Sequence, residues 1–465
     1  MAMGVQQDRQ DVLIVAWQDM PRSPGHAFYD RLQDVLIKGG FDTFAEAMCR
    51  PYYSAKMGAK SIPPGRYFRM HLIGYFEGLD SERGIEWCCS DSFSLRDFLR
   101  LEACDRVPDH SWLSKTRARL PKEAHETVFD WVLALIAKEG LVKGERIGVD
   151  ASTMEANAAL RTIVRRDNGE TYHEMLERLA KESGIETPTA EDLVRLDKTR
   201  KNKTLSNAQW QSPVDPDAKI ARMKDGTTHL AYKPEHAVDL DTGAILAAPI
   251  HSADTGDTTT VSTTLATAET NLAEVGLAPT KDNPAELIAD KGYHSRQVIK
   301  DLQGGVWTTR IAEPERKEFL RWHGDDDARK AVYANRRRLL SGVGKQAMRD
   351  RGEIVERTFA HNLDRGGMRR THLRGRENVS KRYLIHVCGH NLGLLMRKLI
   401  GAGTPRQDAA RAPIILFCIC TADACAVILL TAIDVDHLIF AAVLIVLPRR
   451  PPLPTFSTGC YGRCR

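Results

Sequence analysis

ERIGVDAST, residues 145–153, reads as a short buried strand that ends on an acid. Ile147 to Val149 supply the apolar run and Asp150 closes it, ahead of the small residues Ala151-Ser152-Thr153. ELIADKGYHS, residues 286–295, repeats the arrangement and ends its own apolar run on Asp290. Upstream of the first strand, HETVFDWVLALIAKEGLVKG (125–144) has the spacing of an amphipathic helix that stops at Gly140. Between the two strands, THLAYKPEHAVDLD (228–241) and AILAAPIH (244–251) read as a hairpin about Asp241-Thr242-Gly243. Next comes a helix over 257–276, with Asp257 as its cap. Downstream of Asp290 follow a helix capped by Ser295, a strand VWTTRI (306–311) and further helices. The polar, helical residues 155–226 read as an insertion between strands. This order predicts a mixed α/β sheet with helices packed on it. In such sheets functional residues gather just beyond strand ends, where Asp150 and Asp290 both lie.

A third acid comes from RGEIVERTFAHNLDRGGMRRTHLRGRE, residues 351–377. Val355, Phe359 and Leu363 recur at helical spacing and should face a core, and Gly366-Gly367 should break the helix. Glu353 has Arg349 four residues before it and Arg357 four after, the pattern of a surface ion pair. Glu356 has Gly352 and Ala360 at those positions and therefore no basic neighbour on its own helix. Three carboxylates brought together repel one another, and divalent metal relieves the repulsion. Two Mg²⁺ (or Mn²⁺) ions held by Asp150, Asp290 and Glu356 would support in-line displacement at phosphorus. Each acid also has a structural reading. Asp290-Lys291-Gly292 is a turn sequence, and Asp150 is a possible helix cap. Asp254 and Asp257 compete with Asp290 for the middle position.

Composition narrows the partners. The chain has 465 residues, 27% of them charged, and a net charge of only +5. From Lys345 to Arg382, however, eleven Lys or Arg face five Asp or Glu, a local +6 that suits a polyphosphate. SIPPGRYFRMHLIGYFEGL (61–79), SERGIEWCCSD and SLRDFLRLEA read as short capped helices. PDHSWLSKTRARLP (108–121) adds a basic helix bearing Lys115, Arg117 and Arg119, capped by Asp109 or Ser111. Short helices ending in a basic one resemble a helix-turn-helix DNA reader, or equally a small bundle with an exposed basic helix. The N-terminal stretch lacks a basic n-region, and ten Cys in this length do not make a disulfide scaffold, so a cytoplasmic setting is expected. The apolar runs 424–433 and 438–447 are each too short to span a bilayer, and no stable membrane association is expected. His386, Cys388 and His390 read as parts of a core helix rather than a zinc site. Trp210, Trp307 and Trp322 read as packing.

GVDASTMEANAALRTIVRRD, YKPEHAVDLDTGAI, ADTGDTTT, ADKGYHS and VERTFAHNLDRGGMRRTHLRGREN resemble the DDE transposases of bacterial insertion sequences. SIPPGRYFRMHLIGYFEGLDSERGIEW resembles the helical domain that precedes their catalytic core. The resemblance runs from about residue 45 to 406 and implies a ribonuclease-H-like fold. By motif it assigns the catalytic and metal-binding roles to Asp150, Asp290 and Glu356. It implies a helical DNA-binding domain over 45–124 behind a lead-in at 1–44. A catalytic domain over 125–400 follows, with its insertion at 155–226, and then a divergent tail at 401–465. The implied reaction is metal-dependent cleavage and strand transfer at the ends of an element. The implied partners are double-stranded DNA (terminal inverted repeats and target) and further copies of the chain, with the protein on the nucleoid when bound. Lys115, Arg117, Arg119, Lys291, Arg357, Arg365, Arg369, Arg370 and Arg374 are the expected DNA contacts, within a grip running from Arg365 to Arg382. A decayed copy that binds DNA without cutting it is the rival reading. The wider group often places Lys seven residues after its Glu, where this chain has Leu363.

Overall fold

The computed structural model describes residues 27–54, 61–102, 104–201, 205–223, 226–315, 322 and 324–409, with the backbone of three further strands between 415 and 448. Residues 1–405 form one compact unit and 406–465 a second.

The first unit opens with helices α1 (Ala27–Lys38), α2 (Phe41–Cys49), α3 (Pro64–Glu77), α4 (Glu82–Asp91), α5 (Phe93–Phe98), α6 (His110–Arg119) and α7 (Lys122–Lys138). Their ends follow the sequence signals. Pro63 and Pro64 start α3, the Ser81 and Ser92 hydroxyls cap α4 and α5, and Asp109 caps α6 by accepting from the amides of Ser111 and Trp112. Helix α1 joins the bundle core, where the Phe28 and Phe76 rings lie 4.9 Å apart.

A sheet follows. Its strands are β1 (Arg146–Ala151), β2 (Met154–Glu155), β5 (Lys219–Arg222), β6 (Thr228–Asp239), β7 (Ile245–Ala247), β8 (Ile250–Ser252), β9 (Ala285–Ala289) and β10 (Trp307–Ile311). The 155–226 insertion adds a small pair, β3 (Val164–Arg165) with β4 (Trp210–Gln211), and two helices, α8 (Tyr172–Glu182) and α9 (Ala190–Thr199), each begun by a capping box. Helices α10 (Asp257–Glu274), α11 (Arg296–Leu302), α12 (Asp326–Leu340), α13 (Gly342–Phe359) and α14 (Arg376–Ile400) complete the unit.

Strand β1 is central, antiparallel to β6 on one side and parallel to β9 on the other, with β10 parallel beyond β9. Alternation along β1 turns Gly148 and Asp150 to the α13 face and Ile147 and Val149 to the opposite face, where α10 packs. Gly148 is required by this packing, because a Cβ there would come 2.8 Å from Val355 of α13 and 2.6 Å from Leu240. Val355, Phe359 and Leu363 are all buried, as their spacing predicts. A single π-helical turn over Ala360–Arg365 follows α13, and the chain then breaks at Gly366-Gly367, with Gly367 at φ 73°.

Two cap expectations are corrected. Gly256, not Asp257, occupies the cap position of α10, and Ser295 stands at the cap of α11 without a side-chain hydrogen bond. In the second unit, β11 (Ile415–Cys420), β12 (Ala424–Asp434) and β13 (Ile439–Pro448) form an antiparallel three-stranded sheet. Among the described residues no helix is long and apolar enough to cross a membrane.

Candidate active site at the strand ends

The parallel register of β1 and β9 ends with Val149 opposite Ala289. The next residue on each strand is an aspartate, so Asp150 and Asp290 sit side by side at the carboxyl ends of adjacent strands. Sequence separates them by 140 residues, and strand pairing brings them together. The Asp290 carboxylate accepts the Gly292 amide at 2.8 Å, which shapes the turn Lys291–Tyr293. Its turn-forming role and its place at a strand end therefore coexist. Asp150 accepts its neighbour's amide, that of Ala151, at 2.8 Å. Its other oxygen lies 2.8 Å from the buried Arg351 guanidinium of α13. That contact is an ion pair by distance and lacks hydrogen-bond alignment, since the same nitrogen has no hydrogen-bond partner.

Beneath this pair, on the α10 face, lies a second acid that local pattern did not single out. Glu235 is wholly buried and stands opposite Ala151 in the β1–β6 ladder. One of its oxygens accepts from the hydroxyls of Tyr293 and Thr260, each at 2.8 Å. The other accepts from the Thr264 hydroxyl and faces His251 at 3.5 Å. Burial alone would raise its pKa. The bonds from His251, Thr264, Tyr293 and Thr260 outweigh burial and hold it below the usual range. Lys233 lies alongside, paired with Asp257 at 2.6 Å. Tyr293 ties this network to the turn that carries Asp290.

Glu356 stands apart. It is exposed on α13, and Val355 beside it points at Gly148 of the sheet, so a rotation of about 100° per residue carries Glu356 off the sheet-facing side. Glu353 makes the expected surface pair with Arg357, at 2.5 Å. Among the described residues no three His, Cys, Asp or Glu side chains form a group able to hold a metal ion. The Asp150–Asp290 pair does fit Mg²⁺ chemistry. Both are hard oxygen donors, and Mg²⁺ takes one or two protein carboxylates and completes its shell with water and substrate phosphate.

The basic segment reaches this end of the sheet through backbone hydrogen bonds. The Glu155 amide donates to the Arg369 carbonyl at 2.9 Å, and the Thr371 amide donates to the Glu155 carbonyl at 2.9 Å. Arg369 is exposed, pairs with Asp364 at 2.7 Å and also reaches the Thr153 carbonyl at 3.3 Å, three residues past Asp150. Arg370 lies 3.6 Å from Glu155. Lys115, Arg119, Lys291, Arg357, Arg365 and Arg374 are exposed as well.

Arg117 is not. It is buried in an ion pair with Glu82 and cannot face a duplex, which corrects the expectation for it. The expected Arg365–Arg382 grip also ends early, since Lys381 and Arg382 are buried. Lys381 pairs with Glu377 at 2.7 Å, and Arg382 donates to the Leu79 carbonyl at 2.8 Å. Burial first, then Arg117, lowers the Arg382 pKa to about 10. These two side chains join α14 to the N-terminal helices. His386, Cys388 and His390 are buried in α14, as expected of a core helix.

Of the residues that sequence reading missed, Arg351 was the most legible. It lies four residues before Val355, on the buried stripe of α13, where an arginine needs a partner. Nothing local marked Glu235, because its donors come from α10 and from the Asp290 turn.

Residues 18–119 match the family described as Transposase domain (DUF772), and residues 194–392 match the family described as Transposase DDE domain. The second match contains Asp290, Glu356 and the basic segment through Arg382, whereas Asp150 lies ahead of it. No curated protein and no solved structure matches the chain. The mixed sheet with flanking helices and a helical N-terminal region is consistent with the ribonuclease-H-like fold of such domains.

Proposed function

We propose that this chain, which belongs to the DDE transposases of insertion-sequence type, cleaves DNA at the ends of its element and transfers the freed 3′ ends to target DNA, with divalent metal at Asp150 and Asp290. The observation that carries this reading is the placement of those two aspartates on neighbouring strand ends beside a basic loop. Mg²⁺ or Mn²⁺ bound there would activate the attacking oxygen and stabilise the leaving one.

The chain's own residues do the rest. Asp150 and Asp290 hold their oxygens at the strand ends, and the Tyr293–Glu235 bond fixes the turn behind Asp290. Arg351 neutralises Asp150 before ligands arrive. Arg369 and Arg370, tethered to β2, present guanidinium groups to phosphates near Asp150. Lys115, Arg119, Lys291, Arg357, Arg365 and Arg374 extend the contact with the backbone of the duplex. Glu356 is the third acid by resemblance of its VERTF segment, and its exposed carboxylate is open to a ligand. The protein acts on the nucleoid in the cytoplasm, and pairing of two element ends calls for more than one copy.

A labelled duplex carrying the element's terminal repeats tests the reading, with Mg²⁺ or Mn²⁺ added. Wild type should cut, and Asp290→Asn should bind without cutting. Equal cutting by both removes Asp290 from the mechanism. Binding without cutting by wild type supports the binding-only rival.

A further inference from the structure

We propose that a second, non-catalytic site binds a phosphate group in a cavity at the far end of β1. Its volume is about 220 Å³, and it lies between the β6–β7 turn, the end of α13 with its π turn, the last turns of α14, and Tyr75 of α3. Asp150 and Arg146 stand at opposite ends of β1, four residues and thus about 13 Å apart. The Leu240 amide donates to the Arg146 carbonyl, so the cavity sits at the end away from the aspartates.

Three observations point to an anion. First, Arg357 and Arg397 bring guanidinium groups to the lining, while His361 and His390, whose pKa values burial pushes well down, add neutral rings. Arg397 has no acidic partner among the described residues. The one carboxylate on the wall, Asp241, is already paired with Arg146 at 2.9 Å. Second, Tyr75 is 6% exposed, lines the cavity, and its hydroxyl makes no hydrogen bond with any described residue. A tyrosine hydroxyl on a cavity wall without a protein partner can donate to a ligand held there. Third, His361 is pushed down to about 4 by burial and then by Arg365, Arg397 and Arg357. Arg357 is paired with Glu353, whereas Arg365 and Arg397 have no acidic partner among the described residues, and a phosphate relieves such a meeting of charges. His390 donates to the Gly243 carbonyl at 3.1 Å, which fixes the cavity floor.

The phosphate has two possible sources, a phosphodiester of bound DNA or a free anion, and one set of measurements separates them. Titration calorimetry of the full-length protein with inorganic phosphate gives the affinity of wild type, Arg397→Gln, His361→Gln and Lys398→Gln. Lys398 is the next residue on α14, is paired with Glu139 at 3.1 Å and does not line the cavity. Wild type should bind, Arg397→Gln and His361→Gln should each weaken binding at least tenfold, and Lys398→Gln should leave it unchanged. No binding by wild type, or equal weakening by all three substitutions, overturns the site. Competition against a fluorescent duplex then assigns the source. Displacement of the duplex that is lost in Arg397→Gln supports a DNA phosphodiester in the cavity. Phosphate binding without displacement supports a free anion. Phosphate affinity does not depend on cleavage, so an inactive enzyme leaves this result standing.

Discussion

Asp150 and Glu235 are close neighbours in one sheet and are built in opposite ways. Glu235 is wholly buried, and its two oxygens are met by three hydroxyls and a histidine. Asp150, on the other face, is partly exposed, accepts the Ala151 amide and lies beside the Arg351 guanidinium. The contrast teaches how to sort acids in this protein. A fully buried acid saturated by its own fold has no oxygen left for a ligand, whereas a partly exposed acid beside a cation can exchange that contact. Asp130 gives a third case. It is half-buried with no hydrogen-bond donor among the described residues, and burial, Glu274 and Glu126 raise it to about 7.

Substitution at the open site should give the largest effect. Asp150→Asn or Asp290→Asn should lower cleavage by about 10³-fold or more, the loss expected when several kcal/mol of metal-assisted stabilisation disappear. Asp290→Asn should not move the urea midpoint much, and a large shift would make that aspartate structural like Glu235; Asp150→Asn also removes the charge facing buried Arg351 and should lower the midpoint more. Glu235→Ala is the reverse case. It strands three hydroxyls at a fully buried position, and should cost about 3–5 kcal/mol in urea unfolding. A change below about 1 kcal/mol would erase the contrast.

Tyr293→Phe removes one donor to Glu235 and should cost about 1.5–3 kcal/mol. It also bears on pH. The folded pKa of Glu235 lies below its unfolded value, so its contribution is present above the unfolded pKa and is lost as pH falls through the folded one. Losing a donor raises the folded pKa, so acid unfolding followed by circular dichroism should begin at higher pH in Tyr293→Phe. Asp130 runs the other way. Its raised folded pKa leaves no penalty below about pH 4, and the penalty grows as pH climbs to about 7. Asp130→Asn should therefore add about 1–2 kcal/mol at pH 8, after discounting for solvent screening, and almost nothing at pH 4. The smallest effect belongs to the exposed Glu353–Arg357 pair, where Glu353→Ala should change stability by less than about 0.5 kcal/mol.

Much of this was legible in the chain. Buried strands announce themselves by apolar runs, so both strand-end aspartates, the hairpin about Asp241–Gly243 and the helix closed by Gly140 follow from local pattern. Charge could be counted but not located. Arg117, Lys381 and Arg382 look like their exposed neighbours in the sequence, yet they face the interior where α14 meets the N-terminal helices. Asp257 reads locally as a cap, but Lys233 from β6 claims its carboxylate.

By itself, then, the sequence determined which segments become strands and helices and which acids end them, because hydrophobic periodicity and turn chemistry act over a few residues. Tertiary structure alone decided which acids are neighbours. The β1–β9 register sets Asp150 beside Asp290, the seating of α13 gives Arg351 to Asp150 and leaves Glu356 at the surface, and α10 closes over Glu235. These outcomes depend on strand register and helix rotation between segments far apart in the chain, which no local pattern encodes.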